Sequence, residues 1–113
     1  MDVRITQARF TKSEALAPRG KIVYVPEGKK AGVIGSTGES NQLRSHIRTG
    51  DWNEMHIVAR GNTLIQMING QVMSVVIDDD TANRRMDGEI GIQVHVTTRA
   101  MRIEARKIRI KTF

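Results

Sequence analysis

The chain has 113 residues, of which 39% are hydrophobic. That is an ordinary share for a single globular domain and too much for a disordered chain. Cysteine is absent, which excludes disulfides, thiolate metal sites and cysteine nucleophiles. The net charge is +6, but Lys and Arg are scattered among apolar and acidic neighbours. With aromatics at only 4%, the stacking platforms of single-strand binders are missing, so nucleic acid is not an expected partner.

Residues 1–14 have no clean period, although Val3 and Ile5 suit the start of an edge strand. Residues 21–25 (KIVYV) read as a short strand. A Pro26-Glu27-Gly28 turn follows, then a second short strand around residues 31–34, a hairpin pattern. Residues 35–51 are polar and rich in Gly and Ser, with Leu43 and Ile47 spaced to pin one helical turn onto the core.

The pattern sharpens from residue 54. Residues 54–60 (EMHIVAR) alternate, which places Met55, Ile57 and Ala59 on the face expected to be the core. Glu54, His56, Val58 and Arg60 fall on the face expected to be solvated. Gly61-Asn62 is a two-residue turn signal, residues 63–68 (TLIQMI) form the next strand, and Asn69-Gly70 is the strongest short hairpin signal known. Residues 71–77 (QVMSVVI) return, completing a three-strand antiparallel meander.

Asp78, Asp79 and Asp80 open a loop whose spacing lacks a defined calcium motif, so a solvated turn is expected there. Residues 81–86 suit one helical turn, ended by Gly88. Residues 89–96 (EIGIQVHV) alternate strictly. Ile90, Ile92, Val94 and Val96 face the core; Gly91, Gln93 and His95 face the other way. Residues 101–111 (MRIEARKIRIK) form the last strand, with a slip of parity near Arg106 and Lys107 that predicts a β-bulge. Short alternating strands and no long helix predict an all-β, antiparallel sandwich or barrel. The strands are few for a complete one, which predicts incompleteness at the N-terminus and either a homodimer through an exposed sheet edge or residues 1–14 serving as a substitute edge strand.

Residues 50–62 (GDWNEMHIVARGN), 68–80 (INGQVMSVVIDDD), 88–95 (GEIGIQVH) and 101–111 (MRIEARKIRIK), in that order and spacing, resemble the 3-keto-disaccharide hydrolase domain family. A fainter likeness extends upstream through residues 16–24 and 33–40. On this reading residues 1–14 are unmatched and residues 15–113 form the C-terminal part of such a domain, within a single domain over residues 1–113. The resemblance implies a concanavalin-A-like, jelly-roll sandwich, a carbohydrate partner, action on glycosides oxidised at the 3-position, and export in polysaccharide-degrading bacteria. As written, the chain has neither a signal-peptide core nor an apolar run long enough to span a bilayer, so by itself it is expected to stay in the cytosol and away from membranes.

Gln93 and His95 leave one strand face together, opposite an aliphatic face, and His95 is the candidate acid/base group. Trp52, the only Trp, and Arg19 are the candidate sugar contacts, set against packing and surface roles. No cofactor and no metal is strongly implied. Two functional readings stand: a glycoside-processing, hydrolase-like domain working through a concave sheet face, and a non-catalytic carbohydrate-binding or remnant sandwich.

Overall fold

The computed structural model describes residues 1–6, 16–92 and 100–112. Among these described residues, seven strands and one short helix run in the order β1 (Asp2–Thr6), β2 (Lys21–Val25), β3 (Gly32–Ser36), α1 (Ser40–Arg44), β4 (Asn53–Arg60), β5 (Thr63–Ile68), β6 (Gln71–Asp78) and β7 (Arg102–Arg106). They line up as β3-β2-β6-β5-β4-β1-β7. The fold is all-β and of the sandwich type, as the alternation predicts.

Local turn chemistry explains the meander. Asn69 and Gly70 have φ of 49° and 79°, both positive as a type I′ turn requires. At Gly61-Asn62 only the glycine is positive, at 59°, which suits a type II′ turn. β4 pairs with β5 from Met55↔Ile68 to Arg60↔Thr63. β5 pairs with β6 from Thr63↔Ile77 to Ile68↔Gln71.

One joint is of a different kind. β2 runs parallel to β6, with Ile22 opposite Val75 and Tyr24 opposite Ile77, where the strand pattern predicts antiparallel ladders throughout. Parallel neighbours need a long connection, and here it is the whole β3-to-β5 stretch. A register shift in the β5–β6 ladder leaves Met73 without an opposite residue. Its freed carbonyl accepts the Gly20 N–H at 2.7 Å and the Thr37 hydroxyl at 3.3 Å. That bulge therefore anchors both ends of the β2–β3 hairpin to β6.

The register defines the faces. Val58, Ile65, Val75 and Ile22 form one aliphatic row across four strands, and all four are half-buried. Ala59, Leu64, Val76, Val23 and Val33 form a row on the other face. Val23 is only 2% exposed there, while Leu64 and Val33 are 45% and 60% exposed. The buried apolar side chains among the described residues are Val23, Leu43 and Met73. Leu43 is the residue expected to pin a helical turn. Its helix is capped by Glu39, whose carboxylate accepts the Asn41 and Gln42 N–H groups. Those two bonds hold the Glu39 carboxyl below its ordinary range.

Several expectations are corrected. On β4 Ile57 and Ala59 are exposed and Val58 is half-buried: Ile57 faces Gln66 and Ala59 faces the exposed Leu64, whereas Val58 sits in a row that is half-buried throughout. Of the first fourteen residues the described part forms β1, which is an inner strand and not an edge, pairing with β4 on one side and β7 on the other; residues 7–14 lie outside the described residues. Residues 89–92 form no strand, and Ile90 and Ile92 are exposed, since no described strand pairs with them. The rest of that expected strand lies outside the described residues. β7 ends at Arg106, and Lys107 has φ of 55°, so the irregularity sits where parity slips but as a strand end, leaving Ile108 and Ile110 exposed.

Gly20 is the backbone position least open to change. Its φ is +91°, and a Cβ there would meet the Gly38 carbonyl oxygen at 2.7 Å. Gly28, at φ +65°, has open space around it. Gly20→Ala is expected to cost about 2–3 kcal/mol, and Gly28→Ala about 1 kcal/mol from backbone strain alone, as read from urea unfolding midpoints.

Candidate functional site

The segments that carry the resemblance fold into three polar clusters. The first joins Asn53, at the start of β4, to Asn69, in the β5–β6 turn. The Asn69 side-chain oxygen accepts the Glu54 N–H at 2.9 Å. Its amide donates to the His46 carbonyl at 2.7 Å and to Asn53 Oδ1 at 2.9 Å. Asn53 Oδ1 also accepts the Arg48 N–H, and its amide donates to the Arg48 and Asp51 carbonyls. These two side chains satisfy the backbone of the loop between α1 and β4, which has little regular structure to do so.

Trp52 lies next to this hub. Its ring is flanked by two guanidinium groups, Arg4 at 4.6 Å and Arg106 at 4.0 Å from the ring centre. Arg4 is paired with Glu104, and Arg106 with Asp2 at 3.1 Å. Register places Asp2 opposite Arg106 and Arg4 opposite Glu104, so these charges are cross-strand pairs on one face of β1–β7. The ring thereby clamps the β1–β7 ribbon to the larger sheet through cation–π contacts.

The third cluster gathers at the far end of the meander. Tyr24 donates its hydroxyl to Asp79 Oδ2, and Asn62 donates its amide to Asp79 Oδ1, both at 2.9 Å. The Asp79 N–H returns to the Val25 carbonyl and the Asp78 N–H to that of Asn62. Asn62 lowers the Asp79 carboxyl below its ordinary 3.8, with Tyr24 second. The same bond raises the Tyr24 phenol above 10.0. Asp78 and Asp80 are engaged locally: Asp78 Oδ1 accepts the Asp80 N–H, and Asp80 Oδ2 accepts the Asn83 amide. Among the described residues no group of three or more His, Asp or Glu is arranged to hold a metal ion.

The four residues singled out from sequence are therefore dispersed. Arg19 Nε donates to the Ser40 carbonyl and hydroxyl, tying the chain before β2 to α1. Trp52 contacts Arg4 and Arg106 near β1, four strands from β2, a separation on the order of 20 Å. The two are not brought together. Gln93 and His95 lie outside the described residues. The Tyr24–Asp79–Asn62 cluster went unread in the sequence because its members are remote in the chain. The signal that could have found it was the coincidence of a turn asparagine with an Asp run at a strand end.

A family model described as "3-keto-alpha-glucoside-1,2-lyase-like domain" matches residues 8–111. The match begins seven residues before the start read from motifs at residue 15. Comparison with curated proteins and with solved structures returns no match.

Two outcomes follow from these clusters. Asn69→Ala removes three hydrogen bonds and is expected to cost about 2 kcal/mol in chemical unfolding. Asp79 and Tyr24 set a pH window for the third cluster. The Asp79 contribution is complete above 3.8 and is lost as pH falls through the lowered folded value. The Tyr24 contribution is complete below 10.0 and is lost as pH rises through the raised folded value. Unfolding midpoints of Asp79→Asn compared with the parent across pH are expected to converge at the acid end.

Proposed function

The chain belongs to the 3-keto-alpha-glucoside-1,2-lyase-like domain family, and on that premise we propose that it is a glycoside-processing domain acting on sugars oxidised at the 3-position. The observation that carries this reading is the family match across residues 8–111, which includes the Gln93-x-His95 pair.

The chemistry explains why such a domain needs few groups. A carbonyl at C3 makes the hydrogen on C2 acidic. A base removes that proton, electrons move toward the carbonyl, and the C1–O bond breaks as the leaving oxygen takes up a proton. One group that can both accept and donate a proton near neutral pH suffices, and histidine is the side chain whose ordinary pKa suits this. His95 is proposed as that group and Gln93 as a partner for a sugar hydroxyl or carbonyl oxygen. Both are named from the sequence pattern.

Trp52 and Arg19 are left out of this site. Trp52 carries the Arg4 and Arg106 guanidinium groups against its ring, and Arg19 is spent on Ser40. A ring engaged by two cations is committed to holding the β1–β7 ribbon. These contacts support the packing role that the sequence offered for Trp52 beside sugar binding; Arg19, offered as a surface residue, is used to tie the chain before β2 to α1.

The test is incubation of the purified chain with a 3-keto-glucoside, following release of the aglycone alcohol and the unsaturated keto sugar. His95→Ala is expected to lower turnover by about a hundredfold or more, and Gln93→Ala to act chiefly on KM. Turnover unaffected by His95→Ala overturns the assignment. Saturable sugar binding without turnover supports the non-catalytic carbohydrate-binding reading instead.

A further inference from the structure

The sequence contains a single Asn-Gly step, Asn69-Gly70, and it coincides with the hub of the first polar cluster. Asn-Gly is the dipeptide most open to intramolecular attack on the amide, since glycine puts no side chain in the way. The Gly70 nitrogen bonds to Asn69 Cγ, the Cγ–Nδ2 bond breaks and ammonia leaves. Water then opens the resulting succinimide to aspartate or isoaspartate.

We propose that Asn69 is a deamidation site gated by the fold, protected while its side chain is held and modified when the β5–β6 turn opens. The geometry supplies the gate. The nitrogen that must leave is held by two acceptors, His46 O at 2.7 Å and Asn53 Oδ1 at 2.9 Å. The side-chain oxygen, whose carbon is attacked, accepts the Glu54 N–H at 2.9 Å. The backbone is fixed as well, by Asn69 N–H to Glu54 O at 2.9 Å and by positive φ at both turn residues. Attack by Gly70 requires the side chain to swing off all three of its bonds. The site is at the surface, with Asn69 half-buried and Gly70 exposed, so a local opening is enough to start the reaction.

The modification also works against reclosure. The product carboxylate places acceptor oxygens against the His46 carbonyl and Asn53 Oδ1, where the amide placed donors. Two hydrogen bonds become two repulsive contacts, and the loop that carries Trp52 loses its hold. Deamidation thus turns a transient opening into a lasting one.

The experiment is peptide mass spectrometry of Asn69 after timed incubation at mildly alkaline pH. The native chain, the chain in concentrated urea and Asn53→Ala are compared. The native rate is expected to be lower than the urea rate by roughly tenfold or more. Asn53→Ala, which removes one acceptor of the leaving nitrogen, is expected to raise the native rate by about fivefold. Equal rates in native and urea conditions overturn the proposal, and so does a folded Asn53→Ala that deamidates at the parent's rate. Should Asn53→Ala fail to fold, the parent's native and urea rates decide alone.

Discussion

The sheet depends on the joint between β2 and β6. These strands run parallel, so no tight turn can hold them together, and their registration must come from elsewhere. It comes from the Met73 bulge. One extra residue in β6 frees a carbonyl, and Gly20 just before β2 and Thr37 just after β3 both donate to it. Glycine is needed at position 20 because the backbone there is left-handed and a neighbouring carbonyl occupies the space of a Cβ.

Away from that joint, polar side chains do much of the work that a thicker core does in larger domains. Val23, Leu43 and Met73 are the buried apolar side chains among the described residues. Asn53 and Asn69 fasten the irregular loop before β4, Trp52 and its two arginines fasten the β1–β7 ribbon, and Tyr24, Asn62 and Asp79 fasten the strand ends on the opposite side. Each fastening draws residues from a segment that carries the family resemblance. Motif residues in this chain thus include many that hold the scaffold, and a motif position alone is weak evidence of contact with a sugar.

Local features were legible in the sequence because their causes are local. The bounds of β2 and β5 follow from alternation, and the turn at Asn69-Gly70 from the tolerance of those residues for positive φ. Leu43 as the anchor of a short helix was legible for the same reason. What escaped reading is what depends on distant partners. The parallel pairing, the Met73 bulge and the insertion of β1 between β4 and β7 leave no periodic trace. Alternation on β4 showed that there were two faces but not which would be covered, because the half-burial of Val58 goes with that of its row neighbours on β5, β6 and β2. Of the four candidate site residues named from sequence, Gln93 and His95 lie outside the described residues, and the contacts of Trp52 and Arg19 come from elements remote in the chain.

The pairing of β1 with β7 has a consequence for how the chain folds. Asp2 and Arg106 are 104 residues apart in sequence, yet they are paired, whereas each strand of the meander meets its neighbour across a two-residue turn. Closing so long a loop has a high entropic cost that must be met before the new contacts return anything. The natural order of assembly is therefore the β4–β5–β6 hairpins first, then β2 with β3, then the ribbon of the two distal segments. Such a route gives the molecule a high contact order for its size, and it makes β4, the strand that β1 must find, the last surface to gain its neighbour.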